Sequence, residues 1–518
     1  MPATTLNIGM DFTMSGTASA TAGGVIDTMD NFTVGSGNTF TMGAYSDTIG
    51  GNLTNDGTFT ATGGTIDLGG NFTNNTGATF TGTGGTFTVG GNFTNDGVLT
   101  ATGSTVTLDG TVAQTIGGTT DPVFNILNIS NTTDIVSAAA NFSTSGTMTV
   151  IDGAAFYAGS FVVSGGGTLT LALGGTLGIG STGGISSAGA TGNIQTTTRN
   201  FSTGANYTYN GTANQVTGNG LPATVNNLTI NNPGNTVTLD GNRTVSGDLL
   251  ISAGTFDQAT FTTDRTAPGG TLTIANGATL KIGGTNTLPS NYSTHSFGAT
   301  STVEYGGTTT TVATPNSSQA YANLVISGSA VTTTNDFTVA TGLSVSGSFI
   351  AGAGTVTMAN GSSISNTGTL IFDNLTIDTG SVTGNNDFTV NGVLTLNTNA
   401  SATVGNLVMG VNTLIMGASA TTVGAGDVTG IVKRTTLIAD TTYTFGNQYT
   451  TIRFENVGTL PTDVSVKITI GSAPAWKTGA VQRTYDLIQT GASGNYGAVN
   501  LHYLDSELNG NTENKLVI

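Results

Sequence analysis

A short unit built on Asn-Phe-Thr returns about every twenty residues through the first fifth of this chain. Asp11-Phe12-Thr13, Asn31-Phe32-Thr33, Asn52-Leu53-Thr54, Asn71-Phe72-Thr73 and Asn92-Phe93-Thr94 begin 20, 21, 19 and 21 residues apart. A fixed period of this length is the signature of a repeat architecture, because one unit is too small to bury its own apolar face and must stack on its neighbours. The length of 518 residues therefore does not imply several globular domains, since a solenoid lengthens without a larger core.

Composition selects the kind of solenoid. Threonine accounts for 105 residues and glycine for 79. Helix-forming Glu, Lys, Arg and Gln are scarce, whereas Thr, Val, Ile and Phe favour strands. Disorder is disfavoured because apolar residues recur at fixed offsets. In the units starting at Asn52, Asn71 and Asn92, the first strand is followed by a turn (Asn55-Asp56-Gly57, Asn74–Gly77 or Asn95-Asp96-Gly97). A second strand carries Phe59, Phe80 or Leu99. After a glycine corner, a third carries Ile66/Leu68, Phe87/Val89 or Val106/Leu108. Strict alternation points these residues inward and their threonine neighbours outward. Three strands and three turns describe one coil of a parallel β-helix. Its interior columns are expected to be Leu53–Phe72–Phe93 and Ile66–Phe87–Val106. At about 4.8 Å per coil, some twenty coils predict a rod on the order of 100 Å long.

Beyond residue 110 the period loosens. An aromatic or Val, then Leu, then Ile pattern appears at Phe124/Leu127/Ile129, Val225/Leu228/Ile230, Tyr321/Leu324/Ile326 and Phe372/Leu375/Ile377. We read a longer module with wider coils. Near Gly430 glycine thins out, and Pro461, Pro474, Trp476 and most basic residues follow. Short strand-like runs, ending with Gly497–Tyr503 and Thr512–Ile518, predict a β-sandwich of immunoglobulin-like type. The expected fold is all-β: a regular β-solenoid over 1–115, a less regular one over 116–429, and a C-terminal sandwich over 430–518.

Residues 1–430 hold 4 Lys/Arg and 21 Asp/Glu, whereas residues 431–518 hold 7 of each. The acidic balance thus lies on the repeats, which disfavours nucleic acid and bare anionic membranes as partners. Cysteine is absent, which excludes disulfides and thiolate metal sites and is compatible with bacterial export. No apolar run approaches a membrane span. Met1-Pro2-Ala3-Thr4 enters a repeat almost at once, so either a leader has been removed or the chain is one piece of a longer one.

The Asn-Leu-Thr-Ile-Asn segment at 227–231 and the glycine-cornered coils resemble the β-helical repeats of large bacterial surface and secreted adhesin-like proteins. Tyr443–Asn447, Arg483-Thr484-Tyr485 and Leu501–Glu513 resemble a sandwich-like module that follows such repeats. The resemblance implies an extracellular scaffolding or adhesive role and carries no catalytic residues. It also implies that the module continues past Lys515–Ile518, so the tail fold is expected to be incomplete.

Candidate sites are few. Solenoid carboxylates come about one per coil, often in turns, and His295 and His502 lie in different regions, so neither glycosidase nor lyase chemistry has a paired motif. Asp505–Gly510 begins like a calcium loop, but position twelve is Leu516 rather than Glu. A looser calcium site through Asp505, Glu507 and Asn509 is the remaining metal candidate, and no cofactor is expected. Thr-x-Thr pairs such as Thr58/Thr60, Thr79/Thr81, Thr86/Thr88 and Thr105/Thr107 suggest ice binding only if they share one strand face, and their spacing places them on different strands. Asn31, Asn52, Asn71 and Asn92 are formal glycosylation sequons, better read as a stacked asparagine corner.

The expected function is that of a surface filament or sheath subunit, joined head-to-tail to copies of itself. The joining edges are Leu6 and Ile8 at one end and a strand Glu513–Ile518, closing on Leu516, Val517 and Ile518, at the other. The alternative is an adhesin stalk presenting a tip to a surface or glycan.

Overall fold

The computed structural model describes residues 5–27, 30–397 and 404–516. It is all-β apart from two single-turn 3-10 helices, and it forms a parallel β-solenoid followed by antiparallel strands. Two compact units are distinguished: residues 1–257 with 261–272, and residues 258–260 with 273–518.

In the first unit, the expected strand phase is the observed one. Phe72 pairs in register with Leu53 on one side and Phe93 on the other. Ile66, Phe87 and Val106 form a second column, and all six side chains are buried. Phe40, Phe59 and Phe80 make a third column. Ring centroids lie 4.6 Å apart for Phe72–Phe93, 4.9 Å for Phe72–Phe80 and 5.1 Å for Phe93–Phe124. One aromatic file therefore passes from coil to coil inside the stack, and its rings gain more than area burial alone.

Glycine serves two purposes at the corners. Gly84 and Gly103 adopt φ of 75° and 74°, the left-handed conformation that L side chains resist. Gly97 does not need positive φ. A Cβ there would stand 2.5 Å from the Ala78 carbonyl oxygen in the coil beneath, so close stacking excludes any side chain.

Asparagines tie the coils together. Each of Asn52, Asn71 and Asn92 donates its backbone N–H to the Oδ1 of the preceding Asn at 2.8 Å. Asn52 and Asn71 add a side-chain bond of 3.0 Å to the same oxygen. The corner ladder expected from the sequons is present, and the amide nitrogen that glycosylation would modify is engaged in these two residues. A second, buried ladder was not anticipated. Asn55 Nδ2 donates to Asn74 Oδ1 at 2.9 Å, and Asn74 Nδ2 to Asn95 Oδ1 at 2.8 Å. These are the first residues of the corner turns, and their amides also donate to the carbonyls of Thr79, Val98 and Thr120.

The coils continue across residue 115, where Thr105–Leu108 pairs onward with Ile126–Ile129. The longer module also behaves differently from its sequence spacing. Leu324 stacks on Val303 and Leu343, whereas Leu375 stacks on Val356 and Leu394. The repeated motif is inward-facing each time but recurs in a different column.

The second unit carries the transition to the tail. Strand Val428–Arg434 pairs in parallel with Gly405–Met416 and antiparallel with Asp463–Ile470. The border expected at residue 430 therefore falls inside a strand that belongs to both arrangements. Asp463–Ile470 pairs with Arg483–Thr490, and a separate small sheet joins Thr442–Thr444, Thr451–Phe454 and Gly497–Asn500. The final expected strand is not formed, since Glu513–Lys515 is a 3-10 turn. The segment is polar and lacks apolar alternation. Asn509 and Asn511 amides bind the carbonyls of Thr478, Gly479 and Ala480, which bends the chain away from an extended path.

Candidate functional site

Titratable groups gather in the tail, where two buried arginines organise it. The first sits at the end of Val428–Arg434, whose inward phase runs Val428, Gly430, Val432, Arg434. The Arg434 guanidinium donates to the carbonyls of Gly417 (2.8 Å), Ala420 (2.7 Å) and Thr444 (3.0 Å). It also lies 5.0 Å from the Tyr443 ring centroid and 5.6 Å from that of Phe445. Burial lowers its pKa to about 10, so it remains a cation near neutrality. Carbonyl dipoles and ring faces stand in for a counter-ion, and they bind the last solenoid turns to the tail.

The second is Arg483, at the start of Arg483–Thr490. Its guanidinium makes a fork to Asp427 (2.8 and 2.7 Å) and a second to Glu507 (2.8 and 3.0 Å). All three side chains are buried. Burial alone would lower the Arg483 pKa, but the hydrogen bonds to Asp427 and Glu507 outweigh it and raise it. The cluster joins the residue just before strand Val428–Arg434, a tail strand and the 3-10 turn Asp505–Glu507, segments far apart in sequence.

The three candidates for the looser calcium site have other partners or stand apart. Both Glu507 oxygens accept from Arg483, and one also accepts the Leu504 N–H at 3.0 Å. Asn509 directs its amide at the Thr478 and Ala480 carbonyls, and Asp505 is exposed. The three candidates are not brought around one point, and among the described residues no cluster of three His, Cys, Asp or Glu suits a metal.

The remaining candidates fall as follows. Leu6 lies in strand Leu6–Asn7, pairs with Ile26 and is half-buried, as is Ile8. Leu516 follows the last 3-10 turn in extended conformation but not in a strand, and Val517 and Ile518 lie outside the described residues. His295 is buried and accepts the Asn316 N–H on Nδ1 at 2.9 Å, and burial lowers its pKa to about 4. His502 instead packs its ring 5.0 Å from that of Tyr449. Arg243 pairs with Asp240 at 2.8 Å, and Arg265 contacts the carbonyls of Ala267 and Gly247.

The threonine pairs fall on different strands of the coil, as expected. Thr86/Thr88 and Thr105/Thr107 share one sheet and stand in register, and Thr147/Thr149 with Thr168/Thr170 follow on the same sheet. Asp67, Ile126 and Asn128 interrupt the two files. Thr58/Thr60 and Thr79/Thr81 occupy a different sheet.

Sequence reasoning missed Asp47. It occupies the core column in register with Ile66, is buried, and accepts the Ile26 N–H on Oδ1. Its Oδ2 is buried without a hydrogen-bond partner. Burial, with Asp27 nearby, raises its pKa. A carboxyl whose folded pKa is raised contributes stability at low pH that is lost as pH rises through that value. We therefore expect the first coils to loosen as pH is raised from acid, and Asp47→Asn to flatten the response. Hydrogen exchange of Ile26 and its neighbours across pH 4 to 8 checks this, and an unchanged profile in the variant counts against it.

The apolar surface is also concentrated in the tail. Trp476, Leu487, Ile488, Tyr496 and Val499 are exposed, Trp476 at 84% and Ile488 at 63%. Leu487 lies opposite buried Val466, and Val499 opposite buried Ile452. Comparison with family models, curated proteins and solved structures returns no match to this chain.

Proposed function

We propose that the chain is a non-enzymatic structural protein of the bacterial cell surface, a subunit that polymerises head-to-tail into a filament or sheath. The observation that carries this reading is the dual pairing of Val428–Arg434. The hydrogen-bond ladder of the coils passes through that strand into Asp463–Ile470 and ends on Arg483–Thr490, which among the described residues pairs on one side only. Unpaired strand edges are templates for joining another chain. A heterologous contact gives an open filament unless its rotation closes a ring.

The chemistry of the interior supports a structural role. Asparagine amides and buried arginines are committed to holding coil to coil or coil to tail. The small sheet of Thr442–Thr444, Thr451–Phe454 and Gly497–Asn500, set against the antiparallel end of the solenoid sheet, is taken as a sandwich, supported by the 3.2 Å contact of Thr450 Oγ1 with Tyr485 OH. Absence of cysteine fits an exported protein whose stability does not depend on redox state.

Negative-stain imaging and sedimentation of the full chain over a wide concentration range test the reading. Filaments that lengthen with concentration are expected. A chain that stays monomeric at high concentration overturns polymerisation and leaves the adhesin stalk as the better account.

A further inference from the structure

We infer that the join is made by edge-to-edge strand addition between Arg483–Thr490 of one copy and the Leu6–Met10 segment of the next. This rests on the self-assembly proposed above and assigns its contact surface.

The acceptor edge lacks the usual protections. Natural edge strands are kept short or carry Lys, Pro or a bulge. Arg483–Thr490 runs for 8 residues without Lys or Pro, pairs with Asp463–Ile470 without a register shift, and exposes Leu487 and Ile488. Its only charges are Arg483, spent on Asp427 and Glu507, and Asp486. A strand laid beside it would set one apolar face against Leu487, on the Val466 side of the sheet, and satisfy its outward backbone groups.

The donor has matching features. Leu6, Ile8 and Met10 alternate with Asn7, Gly9 and Asp11, the sequence period of one apolar face; Leu6–Asn7 is a strand and Gly9-Met10 a bend. Among the described residues, Leu6–Asn7 pairs with Ile26–Asp27 alone. Leu6 and Ile8 are half-buried and Met10 is 70% exposed. Adding this edge to Arg483–Thr490 would continue the ladder from molecule to molecule.

Charge favours a second copy over a contact between like surfaces. Residues 1–198 contain eleven Asp and no Lys or Arg, whereas residues 431–518 balance 7 against 7. Two acidic flanks repel, but an acidic first coil meets a neutral tail with exposed Lys467 and Lys477 without that cost.

The cysteine-free background gives a direct test with the full chain. One preparation carries Ile8→Cys and another Leu487→Cys. They are mixed under assembling conditions and oxidised. A disulfide-linked dimer should form in the mixture, because bridging requires Cα atoms within about 7 Å. Ile8→Cys mixed with Val98→Cys, an exposed position on the coils, is the background control. In parallel, Ile8→Lys should abolish elongation while thermal unfolding stays close to that of the unaltered chain.

Filaments that form without an Ile8–Leu487 link, or that link Ile8→Cys to Val499→Cys instead, overturn this contact and leave polymerisation standing. If Ile8→Lys still elongates, the donor assignment is wrong. If nothing assembles at any concentration, the underlying reading falls as well.

Discussion

Replacing Arg483 with Met is expected to destabilise the second unit by about 3–5 kcal/mol, because removing one partner of a buried ion cluster leaves the others uncompensated. Asp427 and Glu507 would remain buried with their guanidinium gone. Urea unfolding followed by far-UV circular dichroism, with hydrogen exchange of Asp463–Ile470 and Arg483–Thr490, reports on the tail. Two comparisons make the result interpretable. Arg453→Ala breaks bridges to Asp440 and Glu455, but those groups are solvent-exposed, and such pairs contribute roughly 0–1 kcal/mol. The triple variant Arg483→Met, Asp427→Leu, Glu507→Met removes every charge of the cluster and should recover much of the loss, since desolvation of the ions offsets much of their attraction. Equal small losses in Arg483→Met and Arg453→Ala would show that the cluster does not hold the tail in place.

Truncating the aromatic file is the second large effect. Phe72→Ala or Phe87→Ala is expected to cost about 3–5 kcal/mol, the usual range for a buried aromatic. Phe72 lies between Phe80 and Phe93, and Phe87 lies 5.1 Å from Phe80. A void in one coil removes contacts from the coils on both sides. Stability in a stack depends on nearest-neighbour interfaces, so protection from hydrogen exchange should fall first in the strands paired with the altered one. Thr86→Ala changes an outward residue of the same strand as Phe87 and should shift stability by only about 0.5 kcal/mol. Comparable effects at Thr86 and Phe87 would contradict the inward–outward assignment.

The residues that the sequence places best are those that local alternation controls. Phe72, Phe87 and their columns are legible because a strand turns every second side chain to one face, and a fixed coil length stacks equivalent residues. The exposed asparagine corner is legible for the same reason, since its Asn repeats with the period. Arg434 was within reach: it is in phase with Val428 and Val432, so alternation alone directs it inward. Asp47 is the opposite case. It stands in the Ile66 column of the coil that opens on Asn31-Phe32-Thr33, but a lone Asp reads as a turn residue.

Contacts between segments remote in sequence were not legible. The Asp427–Arg483–Glu507 cluster joins residues separated by 56 and 24 positions, and nothing in the local pattern of any one of them signals the others. The same limit explains the tail. Strand propensity located Asp463–Ile470 and Arg483–Thr490 closely, but it also placed a strand over Glu513–Lys515, where amide bonds to the loop at 478–480 bend the chain instead. Period and composition determined by themselves that this chain stacks parallel coils around an apolar column, because both are set by hydrogen bonding and burial within one repeat. Only the tertiary structure decided which column each later motif joins, where the parallel ladder reverses at Val428–Arg434, and which strand is left with an open edge. Those outcomes depend on loop lengths and on polar groups that find their partners only once the coils are stacked.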